Sequence, residues 1–142
     1  MRRGAVDAPE SVVRSALQDT ARASGMPAVL IHGDRDSVVD PINLEQLTTQ
    51  FKVLNGLTST AEPLARRPID NNAESPSDEE GTVRQTDYLA GKKPVIRIYA
   101  VPTLEHAWSG GDGNVPFHSD EGPDASALMW GFFEQHRRLP PG

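Results

Sequence analysis

The sequence predicts an α/β domain with a mostly parallel sheet flanked by helices. Three observations carry that expectation. Helical and extended patterns alternate as helix, strand, helix, two strands, helix, the order that builds a sheet covered by helices. Ala28-Val29-Leu30-Ile31 is a continuous apolar run with β-branched residues, the pattern of a strand buried on both faces. Ile96, Ile98 and Ala100 alternate with Arg97, Tyr99 and Val101, the two-residue period of a second strand.

In chain order, Val13, Ala16, Leu17, Thr20, Ala21 and Ser24 recur at helical spacing, with Pro9 at the start and Gly25 just past the end. The strand from Ala28 ends in the polar turn His32-Gly-Asp34-Arg-Asp36-Ser37. A second helix follows, with Asp40 able to cap it, Pro41 in its first position, Leu44, Leu47, Phe51 and Leu54 on one face, and Gly56 as its stop. From Leu57 to Gly81 the chain reads as an acidic, flexible surface loop inserted in a single domain: Asp70, Glu74, Asp78, Glu79 and Glu80 have no basic residue among them. Thr82–Leu89 and Val95–Val101 read as strands joined through Gly91-Lys92-Lys93-Pro94 in a hairpin. A polar loop from Pro102 to Gly122 leads to a last helix from Pro123, with Ala125, Leu128, Met129, Phe132, Phe133 and His136 as its apolar face. Trp130 interrupts that face and is expected to pack against something outside this chain.

Composition narrows the function. The 142 residues contain no cysteine, which excludes disulfide scaffolds, Cys-ligated metals and thiol catalysis. Fourteen Lys and Arg against 20 Asp and Glu give a net charge of −6, unsuited to nucleic acid or an anionic membrane, both of which reward clustered positive charge. No apolar run approaches the roughly 20 residues of a spanning helix. The Met-Arg-Arg-Gly-Ala-Val-Asp start lacks the apolar segment of a signal peptide. Neither point assigns a compartment.

In open α/β sheets the chemistry gathers at loops leaving the carboxyl ends of strands. Two such loops carry reactive side chains: the one after Ile31, with Asp34 and Asp36, and the one after Val101, with His106. An acid followed along the chain by a histidine is the order of the last two members of a Ser, Asp, His relay, in which imidazole moves the proton and carboxylate orients it. Taken alone, these residue types also fit a turn former and a solvated loop histidine. Asp34-Arg-Asp36-Ser-Val38 lacks the ligands and glycine of a calcium loop. Gly110-Gly-Asp-Gly113 lacks the lysine of a phosphate loop, and His118-Ser-Asp120 is a polar loop pair before it is a metal site. No metal is expected.

His32-Gly-Asp-Arg-Asp36-Ser-Val-Val-Asp-Pro-Ile-Asn43 resembles the acid loop of the poly(3-hydroxybutyrate) depolymerase-type esterases, a branch of the α/β-hydrolases. His106-Ala-Trp-Ser-Gly-Gly-Asp112 is similar to that family's histidine loop, and Gly122 to His136 to its last helix; Asp87-Tyr88 fits as well. The resemblance, spanning roughly residues 27 to 138, implies that Asp36 is the triad acid and His106 the base. It also implies an ester substrate, polyhydroxyalkanoate-like, feruloyl-type or another carboxylic ester, and no cofactor. Trp108 is a candidate substrate-binding residue beside the base. The family's glycines before the histidine are replaced here by Thr103 and Glu105. No Gly-x-Ser-x-Gly nucleophile elbow occurs in the sequence, and Ala107-Trp-Ser109-Gly-Gly lies in the wrong setting for one. The expected entity is therefore the C-terminal half of an α/β-hydrolase, its serine supplied by an N-terminal half or partner chain. The alternative is a non-catalytic remnant or binding module of the same ancestry. A half sheet of this kind is expected to be poorly soluble or oligomeric alone, through its unpaired strand edge.

Overall fold

A computed structural model describes residues 11–12, 14–15, 25–58, 60–69 and 82–136. Most of the first expected helix and all of 70–81 lie outside the described residues; Ser11, Val12, Arg14 and Ser15 are helical. The elements are β1 (Ala28–Gly33), α1 (Ile42–Leu54), β2 (Ala65–Ile69), β3 (Val83–Ala90), β4 (Lys93–Val101), β5 (Trp108–Ser109), β6 (His118–Ser119) and α2 (Ala125–Phe133), followed by a 3-10 turn at Glu134–His136.

The main sheet has the order β1-β4-β3-β2. Only β1 and β4 are parallel, with Ala28 opposite Ile96 and Gly33 opposite Val101; β4–β3 and β3–β2 are antiparallel. The expectation of a mostly parallel sheet is thus corrected to a small mixed sheet with α1 and α2. The cause is connection length. Ala90 pairs with Lys93, so only Gly91 and Lys92 turn the chain, and a two-residue turn returns it antiparallel. Gly91 takes φ of 62° and Lys92 does not share a positive φ, the pattern of a type II′ hairpin turn, which calls for glycine at the first central position. Between β1 and β4 the chain crosses over through α1, long enough for parallel pairing. The segment read as an acidic loop contains β2, which adds the sheet's far edge with Ala65 opposite Asp87.

Strand alternation gives the sheet two faces. On one, Tyr99, Val101, Val83 and Leu104 form the core, joined by Val29, Ile31 and Leu128 of α2. Phe132 of α2 is completely buried, which contributes roughly 1.5–3 kcal/mol relative to exposure. Its ring also receives the Arg97 guanidinium, 5.5 Å from the centroid. Arg97 is held there by paired bonds from its Nε and Nη2 to the Asp87 carboxylate at 2.7 and 2.8 Å. Asp87, singled out with Tyr88 before the turn, therefore serves to anchor a cation between strand and helix. On the opposite face α1 packs Val53 and Lys52 inward.

The helix ends follow local chemistry. Asp40 Oδ1 accepts the Ile42 N–H at 2.9 Å, and the Asp40 carbonyl accepts the Asn43 N–H at 2.9 Å. Pro41 is already helical, and α1 closes before Gly56, as expected. The face turned inward differs from the one read from the sequence. Asn43, Thr48, Lys52 and Val53 are buried, whereas Leu47 of the expected stripe is 42% exposed. Leu44, Phe51 and Leu54 are half-buried, so the buried face is the expected one rotated by part of a turn. Asp124, not Pro123, is the boundary of α2: its Oδ1 accepts the Ala127 N–H at 2.9 Å, a cap worth about 1 kcal/mol. Trp130 and Phe133 of α2 are exposed.

Candidate functional site

The acid and histidine loops leave adjacent strands at the same end of the sheet, because β1 and β4 run parallel and end together at Gly33 and Val101. Backbone bonds then zip them. The Asp34 N–H donates to the Val101 carbonyl at 2.9 Å, and the Arg35 N–H to the Leu104 carbonyl at 3.1 Å. The approach is close enough to require glycine at 33: a Cβ there would lie 2.6 Å from the Leu104 carbonyl carbon and 2.9 Å from the Glu105 oxygen.

This zipper brings His106 Nδ1 to 2.9 Å from Asp36 Oδ2, across 70 residues of sequence. The other oxygen, Oδ1, accepts the N–H groups of Val38 and Val39, each at 2.8 Å. The Asp36 side chain is only 8% exposed, while that of His106 is 43% exposed. Burial works against ionisation of Asp36. The Val39 N–H, His106 and the Val38 N–H outweigh it, so the carboxyl pKa stands below its ordinary value. An ionised carboxylate only accepts hydrogen bonds, so the shared proton belongs to Nδ1, and Nε2 of a neutral His106 is the basic nitrogen.

The two aspartates of the acid loop separate clearly. Asp34 Oδ2 pairs with Arg84 Nη2 at 2.6 Å with both side chains solvated, a surface pair worth at most about 1 kcal/mol. Thr103 and Glu105, where the resemblance implies glycines, have no positive φ, so those residues reach the histidine without left-handed backbone. His32, from β1, has its Nε2 3.2 Å from the Val39 carbonyl and braces the chain just after Asp36.

His106 opens on a cleft of about 580 Å³ whose apolar wall includes Val29, Ile31, Trp108, Phe117 and Met129. Trp108 lies in this wall, 43% exposed, and its backbone N–H donates to the Phe117 carbonyl at 2.7 Å. Phe117 was not legible as a site residue. It stands edge-on to the His106 ring at 6.3 Å between centroids, is 74% exposed, and adopts φ of 62°. A bulky side chain in left-handed backbone beside a reactive group marks a locally strained, over-determined segment. Ser109 also borders the cleft, but its hydroxyl is buried and donates to the Pro123 carbonyl at 2.6 Å. That bond fastens the histidine loop to the start of α2. Among the described residues no group of three or more His, Cys, Asp or Glu side chains is arranged to hold a metal ion.

No curated protein matches the chain. A family model described as esterase PHB depolymerase matches residues 1–75, a span that includes the acid loop with Asp36 and ends before His106. On that match, which covers more than half of its residues, the chain belongs to the PHB depolymerase esterase family.

Proposed function

We propose that this chain carries the acid and base of a serine ester hydrolase acting on polyhydroxyalkanoate-like or other carboxylic esters, with the nucleophile contributed from outside the sequence described here. The observation that carries the proposal is the 2.9 Å Asp36–His106 pair at the mouth of a largely apolar cleft. In that role Nε2 of His106 takes the proton from an attacking serine hydroxyl and returns it to the leaving alkoxide. A water molecule repeats the cycle on the acyl-enzyme. Asp36 holds the tautomer and stabilises the imidazolium. Trp108 offers an apolar surface to the acyl chain or alcohol of the ester.

Two features support an external serine. The sequence has no Gly-x-Ser-x-Gly, and Ser109, the serine in the cleft wall, has its hydroxyl committed to Pro123. Among the described residues β1 ends the sheet order, which leaves its outer edge for a further strand beside the acid loop. The second reading, a non-catalytic binding module, draws on the same missing elbow. The decisive experiment supplies the purified chain with an N-terminal half from the same family carrying Gly-x-Ser-x-Gly, and follows release of nitrophenol from a nitrophenyl ester. Turnover that is absent from either piece alone, and lost with His106→Ala, is expected. A folded assembly that stays inert favours the binding module. Turnover by the 142-residue chain alone, abolished by His106→Ala, rules out the external serine.

A further inference from the structure

Asp36 is held by more than His106. Its Oδ1 accepts the N–H groups of Val38 and Val39, while the Val39 carbonyl meets Nε2 of His32 at 3.2 Å. Val39 is thus gripped at both ends, its N–H by the acid and its carbonyl by a half-buried side chain of β1. Alternation along β1 assigns His32 to the opposite sheet face from Ile31, which packs on the core beside Leu128. Just beyond Val39 the chain is anchored separately. The Asp40 carbonyl accepts the Asn43 backbone N–H and side-chain Nδ2, both at 2.9 Å, and Asp40 Oδ1 accepts the Ile42 N–H. None of these bonds reaches the Val39 carbonyl, whose partner among the described residues is His32.

We infer that His32 is a positioning residue for the acid: by fixing the Val39 carbonyl it fixes the Val39 N–H that aims the Asp36 carboxylate at His106. The inference rests on the reading of Asp36 and His106 as acid and base. With Oδ1 tied to two backbone amides, Oδ2 is the oxygen left to face the imidazole, and a turn of the carboxylate would lose both sets of bonds together. Burial raises the Asp36 carboxyl pKa, and among the groups that overcome it the Val39 N–H contributes most, ahead of His106. Loosening Val39 therefore weakens the largest support of the ionised acid. A carbonyl oxygen only accepts, so the His32 bond requires the proton on Nε2. The two histidines around the acid loop thus hold opposite neutral tautomers, His32 protonated on Nε2 and His106 on Nδ1, each set by its partner. His32 touches neither Asp36 nor His106 through a hydrogen bond, so its effect runs through Val39.

The test is NMR of the full chain, labelled with ¹⁵N in its histidine rings and ¹³C in its aspartate carboxyls. At about pH 8, above the range in which histidine ordinarily titrates, the ring nitrogen shifts should show His32 as the Nε2–H form and His106 as the Nδ1–H form. His32→Leu keeps an apolar side chain of similar bulk and removes the donor. His32→Gln keeps a donor able to reach the Val39 carbonyl. In His32→Leu the Asp36 carboxyl pKa should rise toward its ordinary value, and His106 should become a mixture of both tautomers. His32→Gln should restore both readings toward the parent. Urea unfolding of the same proteins separates positioning from packing. A merely structural histidine would lower stability in both variants while leaving the Asp36 titration and the His106 tautomer as in the parent. That result, an Nδ1–H form of His32 in the parent, or a glutamine variant no closer to the parent than the leucine variant would each overturn the inference. None of these readings uses turnover, so an inert assembly would sink the esterase reading without touching this one.

Discussion

Gly33 packs so tightly against the backbone at Leu104 that a side chain at 33 would lie 2.6 Å from the Leu104 carbonyl carbon. The acid and histidine loops meet through this contact. Gly33→Ala is therefore expected to cost about 1–3 kcal/mol, the range for overpacking, and to push the two loops apart. Urea unfolding gives the stability loss. The ¹H signal of the His106 Nδ1 proton reports the pair, and a variant as stable as the parent with that signal unchanged would contradict the prediction.

Asp36 links stability to pH with a definite sign. Its carboxyl pKa is lowered in the folded chain, so the unfolded chain binds the proton first. The stabilisation is present above the unfolded value, about 4, and drains away as pH falls from there through the folded value. Unfolding measured from pH 7 down to 3 should show the gap between parent and Asp36→Asn narrowing in that window. A gap of constant size would contradict it. In the proposed assembly with a serine-bearing half, Asp36→Asn is expected to lower kcat by up to about 10⁴-fold, the effect of neutralising a triad aspartate.

Ser109 is a fastener. Ser109→Ala removes the bond to Pro123 and leaves a buried carbonyl without that donor, a loss of about 1–3 kcal/mol in thermal or urea unfolding. The esterase turnover of the assembly should fall less than about tenfold at temperatures where the variant is folded. A loss on the scale of a removed nucleophile would reassign Ser109.

Phe117 stores backbone strain at φ of 62° while burying little of its ring. Phe117→Gly relieves left-handed strain of roughly 1–2 kcal/mol and gives back part of that as unfolded-chain entropy. The expected outcome is unchanged or slightly higher stability, with KM for an ester of the assembly raised because the wall beside His106 is lost. Destabilisation by more than about 2 kcal/mol would show that the ring is a packing residue.

Local signals in the sequence determined a good deal. The apolar run at Ala28, the Asp40-Pro41 start of α1, the turn at Gly91 and the alternation in β4 are properties of adjacent residues, and each appears in the structure at nearly its expected place. The family resemblance pointed to Asp36 and His106 as a pair. The tertiary structure decided what depends on contacts between distant segments. Pairing direction followed from how much chain lies between strands, so the hairpin made the sheet mixed. The β2 strand forms by pairing with β3, which acidic composition does not encode. The inward face of α1 was set by register against the sheet, turning Lys52 onto Tyr88 and leaving Leu47 outside. Asp34 and Asp36, two residues apart and alike in sequence, parted company because one meets Arg84 in solvent and the other is buried against His106.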